Sequence, residues 1–214
     1  LYTWWSADIL HFYAGYMHIA ILVIFLPRKY YLWFAFMAII IFHILLLIIP
    51  YEQGWNFETL SYTDFWTLEG FLRNTFYNGW NPIFPWVAYF FLGMWLGRLN
   101  WQNSFFKKYT FLTGLIIYVS IYILQEMANK YITDKDLLFY LQSDYIPPFL
   151  PFMLSTSAFS LMIISFCMFL GEKIHHLKIT LTLVNTGKMT LTHYISHLTI
   201  GMIIFSFITK TSYQ

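Results

Sequence analysis

Charge is scarce in this sequence. Of its 214 residues only 10% are charged, against 59% hydrophobic. A soluble surface needs about 25–35% charge. A soluble globular domain is therefore excluded, and with it a disordered chain and a nucleic-acid-binding domain. Cysteine is almost absent. Cys167 stands alone in an apolar run, which excludes an intrachain disulfide. The net charge of +2 is too small to mark a polyanion partner. Walker, dinucleotide and G-x-S-x-G motifs are all missing. Leu1–Asp8 has neither the basic flank nor the cleavage pattern of a signal peptide. With Leu at position 1, the chain reads as the C-terminal part of a longer protein.

What is abundant is apolar length and aromatic side chains. A bilayer core takes about 20 mostly apolar residues per helix. Six stretches approach or meet that length: about 8–26, 30–50, 83–99, 109–127, 147–170 and 185–208. The expected fold is a single all-α membrane domain, a bundle of about six transmembrane helices. Pro85 falls in the first turn of the third span, where proline is tolerated, and Gly171 is expected to end the fifth. Gly93 and Gly97 form G-x-x-x-G, a pattern that permits close helix contact. Aromatics make up 23% of the chain and crowd the long connection 51–82, where 63–76 is expected to form an interfacial helix. That crowding reads either as an aromatic belt or as a stacking wall for a sugar-like substrate.

The few charges are sorted. Arg28, Lys29, Arg98, Lys107, Lys108, Lys173, Lys178 and Lys188 fall on one set of connections. Nine of the ten acidic residues fall on the other. The positive-inside rule then puts the basic connections in the cytoplasm and both chain ends outside. This predicts an integral membrane protein in contact with the lipid bilayer.

Rare polar residues within the spans mark the candidate sites. Asp8, His11, Gly15 and His18 lie on one helical face, where a carboxylate can orient an imidazole for acid/base work. The alternative is a structural Asp–His hydrogen bond. His193 and His197 stand at i, i+4. Without the glutamate of H-E-x-x-H or a third ligand, they suggest a polar seam or substrate contact, and no metal is expected. Arg98 and Lys188 are either membrane anchors or a phosphate clamp. Asn78–Trp86 is the most distinctive outer stretch. Ser155, Thr156, Ser157, Ser160 and Ser165 stud the fifth span with no sign of an activated nucleophile.

Three stretches carry a family resemblance. Phe76–Arg98, with its small turn, Asn81-Pro82, Pro85-Trp86 and Gly93-x-x-x-Gly97-Arg98, resembles a signature of the YeiB-type transmembrane proteins. Gly187-Lys188-Met189-Thr190-Leu191-Thr192-His193-Tyr194 is similar to the same family's C-terminal element, with Lys188 in place of arginine and His193 in place of asparagine. Ile9–Ala14 is similar to its leucine–aromatic helix start. The family's Asp-x-x-Arg-Gly opening does not occur. Because the family is related to heparan-alpha-glucosaminide N-acetyltransferase, the resemblance implies an acyltransferase. It would move an acyl group from cytoplasmic acyl-CoA to an extracytoplasmic sugar or envelope acceptor. Arg98 and Lys188 would then hold the CoA phosphates. His11, His193 and His197 are the candidates for acid/base work, and Trp80, Asn81 and Asp8 for acceptor contact. The competing expectation is a non-enzymatic transporter or a scaffold subunit, in a homo-oligomer or a larger membrane complex.

Overall fold

The computed structural model describes residues 9–211. In chain order it contains α1 (Leu10–Val23), α2 (Lys29–Ile48), two-residue strands β1 (Trp55–Asn56) and β2 (Ser61–Tyr62), α3 (Leu68–Arg73), and a π-helical turn (Asn74–Asn78). Then follow α4 (Ile83–Leu96), α5 (Ser104–Tyr131), α6 (Lys135–Leu141), α7 (Leu150–Ile174), α8 (Lys178–Lys188) and α9 (Thr190–Thr211). The protein is thus nearly all helical. Helices α2, α5 and α7 are long and apolar enough to cross a bilayer, while α1, α4 and the Thr190–Phe205 part of α9 are apolar but shorter. The chain divides into two units, one ending at Ser165 and the other beginning at Phe166.

Within the first unit, α1 and α4 run together and α2 returns antiparallel to them. Their shared core is built from Phe12 and Tyr16, Tyr31 and Ala38, Val87 and Phe91, joined by Met153 of α7. One end of this unit carries the acidic connections and the other the basic ones. At the basic end the last carbonyls of α1 have no intrahelical donor, as at any helix terminus. The Tyr31 hydroxyl donates to the carbonyls of Val23 (3.2 Å) and Ile24 (3.0 Å). The Arg98 guanidinium donates to those of Ile24 and Leu26 and lies 4.8 Å from the Tyr31 ring centre.

Several sequence expectations change. The last span does not begin at Asn185. Asn185–Lys188 belongs to α8, and the chain breaks at Met189 (φ −98°, ψ 19°). There the Thr190 hydroxyl donates to the Gly187 carbonyl at 2.5 Å. Gly171 does not end the fifth span, because α7 continues to Ile174. The expected 63–76 helix is shorter, and a hairpin pairing Trp55 with Tyr62 precedes it.

The close helix contact also sits elsewhere. A methyl group at Gly93 would meet nothing within 4 Å among the described residues, whereas one at Gly114 would stand 2.6 Å from the Ala158 carbonyl. The α5–α7 approach therefore depends on Gly114. Gly114→Ala is expected to cost about 1–3 kcal/mol by overpacking, and Gly93→Ala to be neutral or to gain up to about 1 kcal/mol from helix propensity. Thermal unfolding in detergent measures both, and equal shifts would refute the assignment.

Candidate functional site

The connection 51–82 is held at the acidic end by one buried side chain. Asn78 is fully buried, and its amide donates to the carbonyls of Tyr51 (2.7 Å) and Gln53 (2.8 Å). Its side-chain oxygen accepts from the Tyr62 hydroxyl (2.7 Å), and its backbone carbonyl from the Trp55 indole (2.5 Å). The hairpin is thereby fastened to the π-helical turn. Arg73, also buried, donates from Nε to the Tyr62 hydroxyl (2.9 Å) and pairs with Asp64 and Glu69. The Thr67 hydroxyl caps α3 by accepting from the Gly70 amide.

Tyrosines are the electrostatic signature of this layer. Burial pushes the phenols of Tyr51, Tyr62 and Tyr77 above their usual range, although the hydrogen bond from Arg73 partly opposes this at Tyr62. A phenol whose folded pKa is raised contributes stability that is complete below about pH 10 and is lost as pH rises through the folded value. Tyr77 therefore keeps its bond to the Ile49 carbonyl (2.7 Å) through pH 10. Tyrosinate absorbance should show a class of phenols that ionise only as the segment melts. Uniform titration near 10 in the folded protein would contradict the burial.

Beside this layer, Tyr145 joins two connections. Its hydroxyl donates to the Trp80 carbonyl (2.9 Å) and the Asn81 side-chain oxygen (3.0 Å). Its ring packs on Trp86 and Phe152. Phe152 in turn lines a cavity of about 490 Å³ with Tyr118, Ser143, Ser155, Thr156, Phe159 and Ser160. Gln125 donates to the Ser143 hydroxyl (2.6 Å), and Thr156 is bonded to Tyr89 of α4 (2.6 Å). Each bonded hydroxyl retains a lone pair, because a hydroxyl offers one donor and two acceptor sites. The result is an open, uncharged groove of hydroxyls and aromatic rings.

Between α1 and the π-helical turn lies a second polar group. Both ring nitrogens of His11 are buried, and the ring packs at 3.7 Å on Phe12 and edge-on at 6.1 Å to Phe65. Asn74 is buried nearby. Its amide oxygen and the Phe12 ring both crowd the position that a side chain on Gly79 would occupy. Among the described residues neither amide atom of Asn74 nor the Thr75 hydroxyl has a hydrogen-bond partner. Leaving such groups unmatched costs about 1–3 kcal/mol each. They suit a polar ligand or ordered water better than an apolar neighbour.

Residues 3–142 match the catalytic region of heparan-alpha-glucosaminide N-acetyltransferase. Residues 90–214 match the family described as protein of unknown function DUF418, the YeiB-like group. Each match covers more than half of the chain. The chain belongs to this YeiB-like, acyltransferase-like family of membrane proteins. No curated protein and no solved structure matches it.

The first unit of this YeiB-like chain holds His11, Trp80, Asn81 and Arg98, and the second holds Lys188, His193 and His197. Trp80 stands edge-on to Trp55 at 5.0 Å. The Asn81 carbonyl accepts from the Tyr16 hydroxyl at 2.5 Å. The Arg98 guanidinium is engaged with the end of α1, as described above. Lys188 is the exposed last residue of α8. On α9, His193 and His197 are exposed, and Nδ1 of His197 lies 3.2 Å from the His193 carbonyl. Asp8 falls outside the described residues. No group of three metal-ligating side chains occurs among the described residues.

Sequence reasoning missed Asn74, Arg73 and Tyr145, and it singled out Asn78 only as the start of the stretch Asn78–Trp86. Only the Glu69–Arg73 spacing of four was visible in advance, as an i, i+4 ion pair.

Proposed function

We propose that the protein transfers an acyl group from cytoplasmic acyl-CoA to a hydroxyl or amine of a sugar-like envelope acceptor. The hydroxyl-lined cavity of about 490 Å³ between α5, α7 and the connection before α7 carries the reading. Hydroxyls orient a polyhydroxylated acceptor, and Phe152, Phe159 and Tyr118 offer apolar faces for its ring. Trp80 and Asn81, linked to this cavity through Tyr145 and Phe152, flank its acceptor side. The family match supports an acyl-transfer chemistry.

In the reaction the acceptor heteroatom attacks the thioester carbonyl. A base takes its proton, the C–S bond breaks, and the CoA thiolate leaves to be protonated. His11, half-buried and edge-on to Phe65 of the connection 51–82, is the preferred base; His193 and His197 are the alternatives. The N–H groups of Arg98 not used on α1 are one candidate for the donor's phosphates, and Lys188 of the second unit is, separately, another.

The test is transfer of label from acetyl-CoA to a panel of amino sugars and glycosides by the full-length protein in membranes. Ser155→Ala with Thr156→Val should raise the acceptor KM about tenfold, equivalent to the loss of one or two hydrogen bonds. The KM for acetyl-CoA should stay unchanged. Thioester consumption that does not depend on any acceptor, or equal effects on both KM values, would overturn the assignment of the cavity.

A further inference from the structure

Apart from its last residue, Lys188, helix α8 has no part in the roles above. It has 11 residues, Lys178–Lys188, and so spans about 16 Å, half of what a bilayer crossing requires. Every residue but Thr180 is exposed. Ile179, Leu183 and Val184 share one side, with Leu181 at its edge. Their exposures of 62%, 61%, 48% and 64% leave that side uncovered. Thr180 falls in the middle of it, but its hydroxyl is turned back onto the Ile174 carbonyl at 2.6 Å, so its methyl group is left outward. Lys178, Thr182 and Asn185 occupy the opposite side. Thr182 and Thr186 likewise spend their hydroxyls on carbonyls one turn back. The helix is therefore amphipathic although its sequence is rich in threonine.

Its charges point to what covers the apolar side. Between Glu172 and Lys188 stand Lys173, Lys178 and Lys188 against a single acid, Glu172. The break at Met189 frees the helix from the axis of α9. A short amphipathic helix with cationic ends, placed between two apolar helices, has the form of a segment lying in the plane of a charged interface.

We propose that α8 is an interfacial helix that docks its Ile179/Leu183/Val184 side into the leaflet on the basic side, and that Lys173 and Lys178 select anionic phospholipid headgroups. Each lysine near such a surface shifts the docked population by about fivefold. Docking fixes the angle at which the chain enters α9 and so supports the helix that carries His193 and His197. Because it concerns bilayer contact, the proposal stands or falls independently of acyl transfer.

The test uses the full chain with Cys167→Ser, labelled with bimane at Leu183→Cys or, in a separate preparation, at Asn185→Cys. Each is reconstituted in nanodiscs of phosphatidylcholine alone or with phosphatidylglycerol, with lipids brominated close to the headgroup. Leu183→Cys should be quenched several-fold more than Asn185→Cys, and more strongly with phosphatidylglycerol present. Lys173→Gln with Lys178→Gln should abolish the dependence on phosphatidylglycerol. Only monodisperse variants with parental thermal stability enter the comparison; Val184→Cys replaces Leu183→Cys if that variant fails. Equal quenching at the two positions would overturn the interfacial placement. Quenching indifferent to phosphatidylglycerol would overturn the headgroup selectivity. Protection of the Leu183 label by acetyl-CoA in lipid-free detergent would assign α8 to the donor instead of the bilayer.

Discussion

Replacing His11 with alanine is expected to lower the transfer rate by about 10²–10⁴-fold, the usual contribution of a positioned general base. The loss should appear in kcat with little change in either KM, since proton removal belongs to the transition state and not to binding. The ring also packs on Phe12 and Phe65, so a merely structural histidine would show a different pattern. His11→Gln keeps much of the volume and hydrogen-bonding capacity and should restore thermal stability. It should not restore the rate, nor the limb of the pH profile that reports the base. Recovery of activity in His11→Gln would assign the residue to packing. Wild-type rates in His11→Ala, combined with a collapse in the His193→Ala, His197→Ala double variant, would move the base to α9.

The largest expected stability effect belongs to Arg73. Its side chain is only 6% exposed and is held by Asp64, Glu69 and Tyr62. Removing one partner of a fully buried pair costs about 3–5 kcal/mol, because the other charge is left uncompensated; Asp64 keeps 37% of its side chain exposed, so solvent offsets part of this and about 2–3 kcal/mol is expected. Arg73→Met should therefore lower the Tm by about 4–12 °C. Asp64 is the partner that matters. Glu69 is largely exposed, and a pair of that kind contributes little. Adding Asp64→Asn to Arg73→Met should recover most of the loss, whereas adding Glu69→Gln should not. A double variant no more stable than Arg73→Met would show that the guanidinium acts through its bond to Tyr62.

What the sequence disclosed follows from the range of the interactions involved. Helices α2, α5 and α7 were legible because apolar run length is a local property. The break at Met189 was not, because Gly187-Lys188-Met189-Thr190 interrupts no apolar pattern. It is fixed by a turn-level hydrogen bond from Thr190. The hairpin escaped notice because two-residue strands are too short to show alternation. Gly93 and Gly97 matched a contact motif that no described neighbour uses, while isolated Gly114 forms the contact. A motif reports what a backbone permits, and the neighbour decides whether it is used. The serines of α7 were visible, but the cavity also needs Ser143 from another element and Tyr118 from α5. Asp64 and Arg73 stand nine residues apart, beyond any helical period, and meet only once α3 is folded.

The fastening at the basic end has a mechanical consequence. Arg98 and Tyr31 tie the ends of α1, α2 and α4 to one another through backbone carbonyls. The other end, which carries His11, Asn81 and the aromatic connection, is tied as well: Tyr16 of α1 donates to the Asn81 carbonyl just before α4, and Tyr77 to the Ile49 carbonyl at the end of α2. The three helices are thus clamped at both ends, so tilting any one of them breaks a bond at one end or the other.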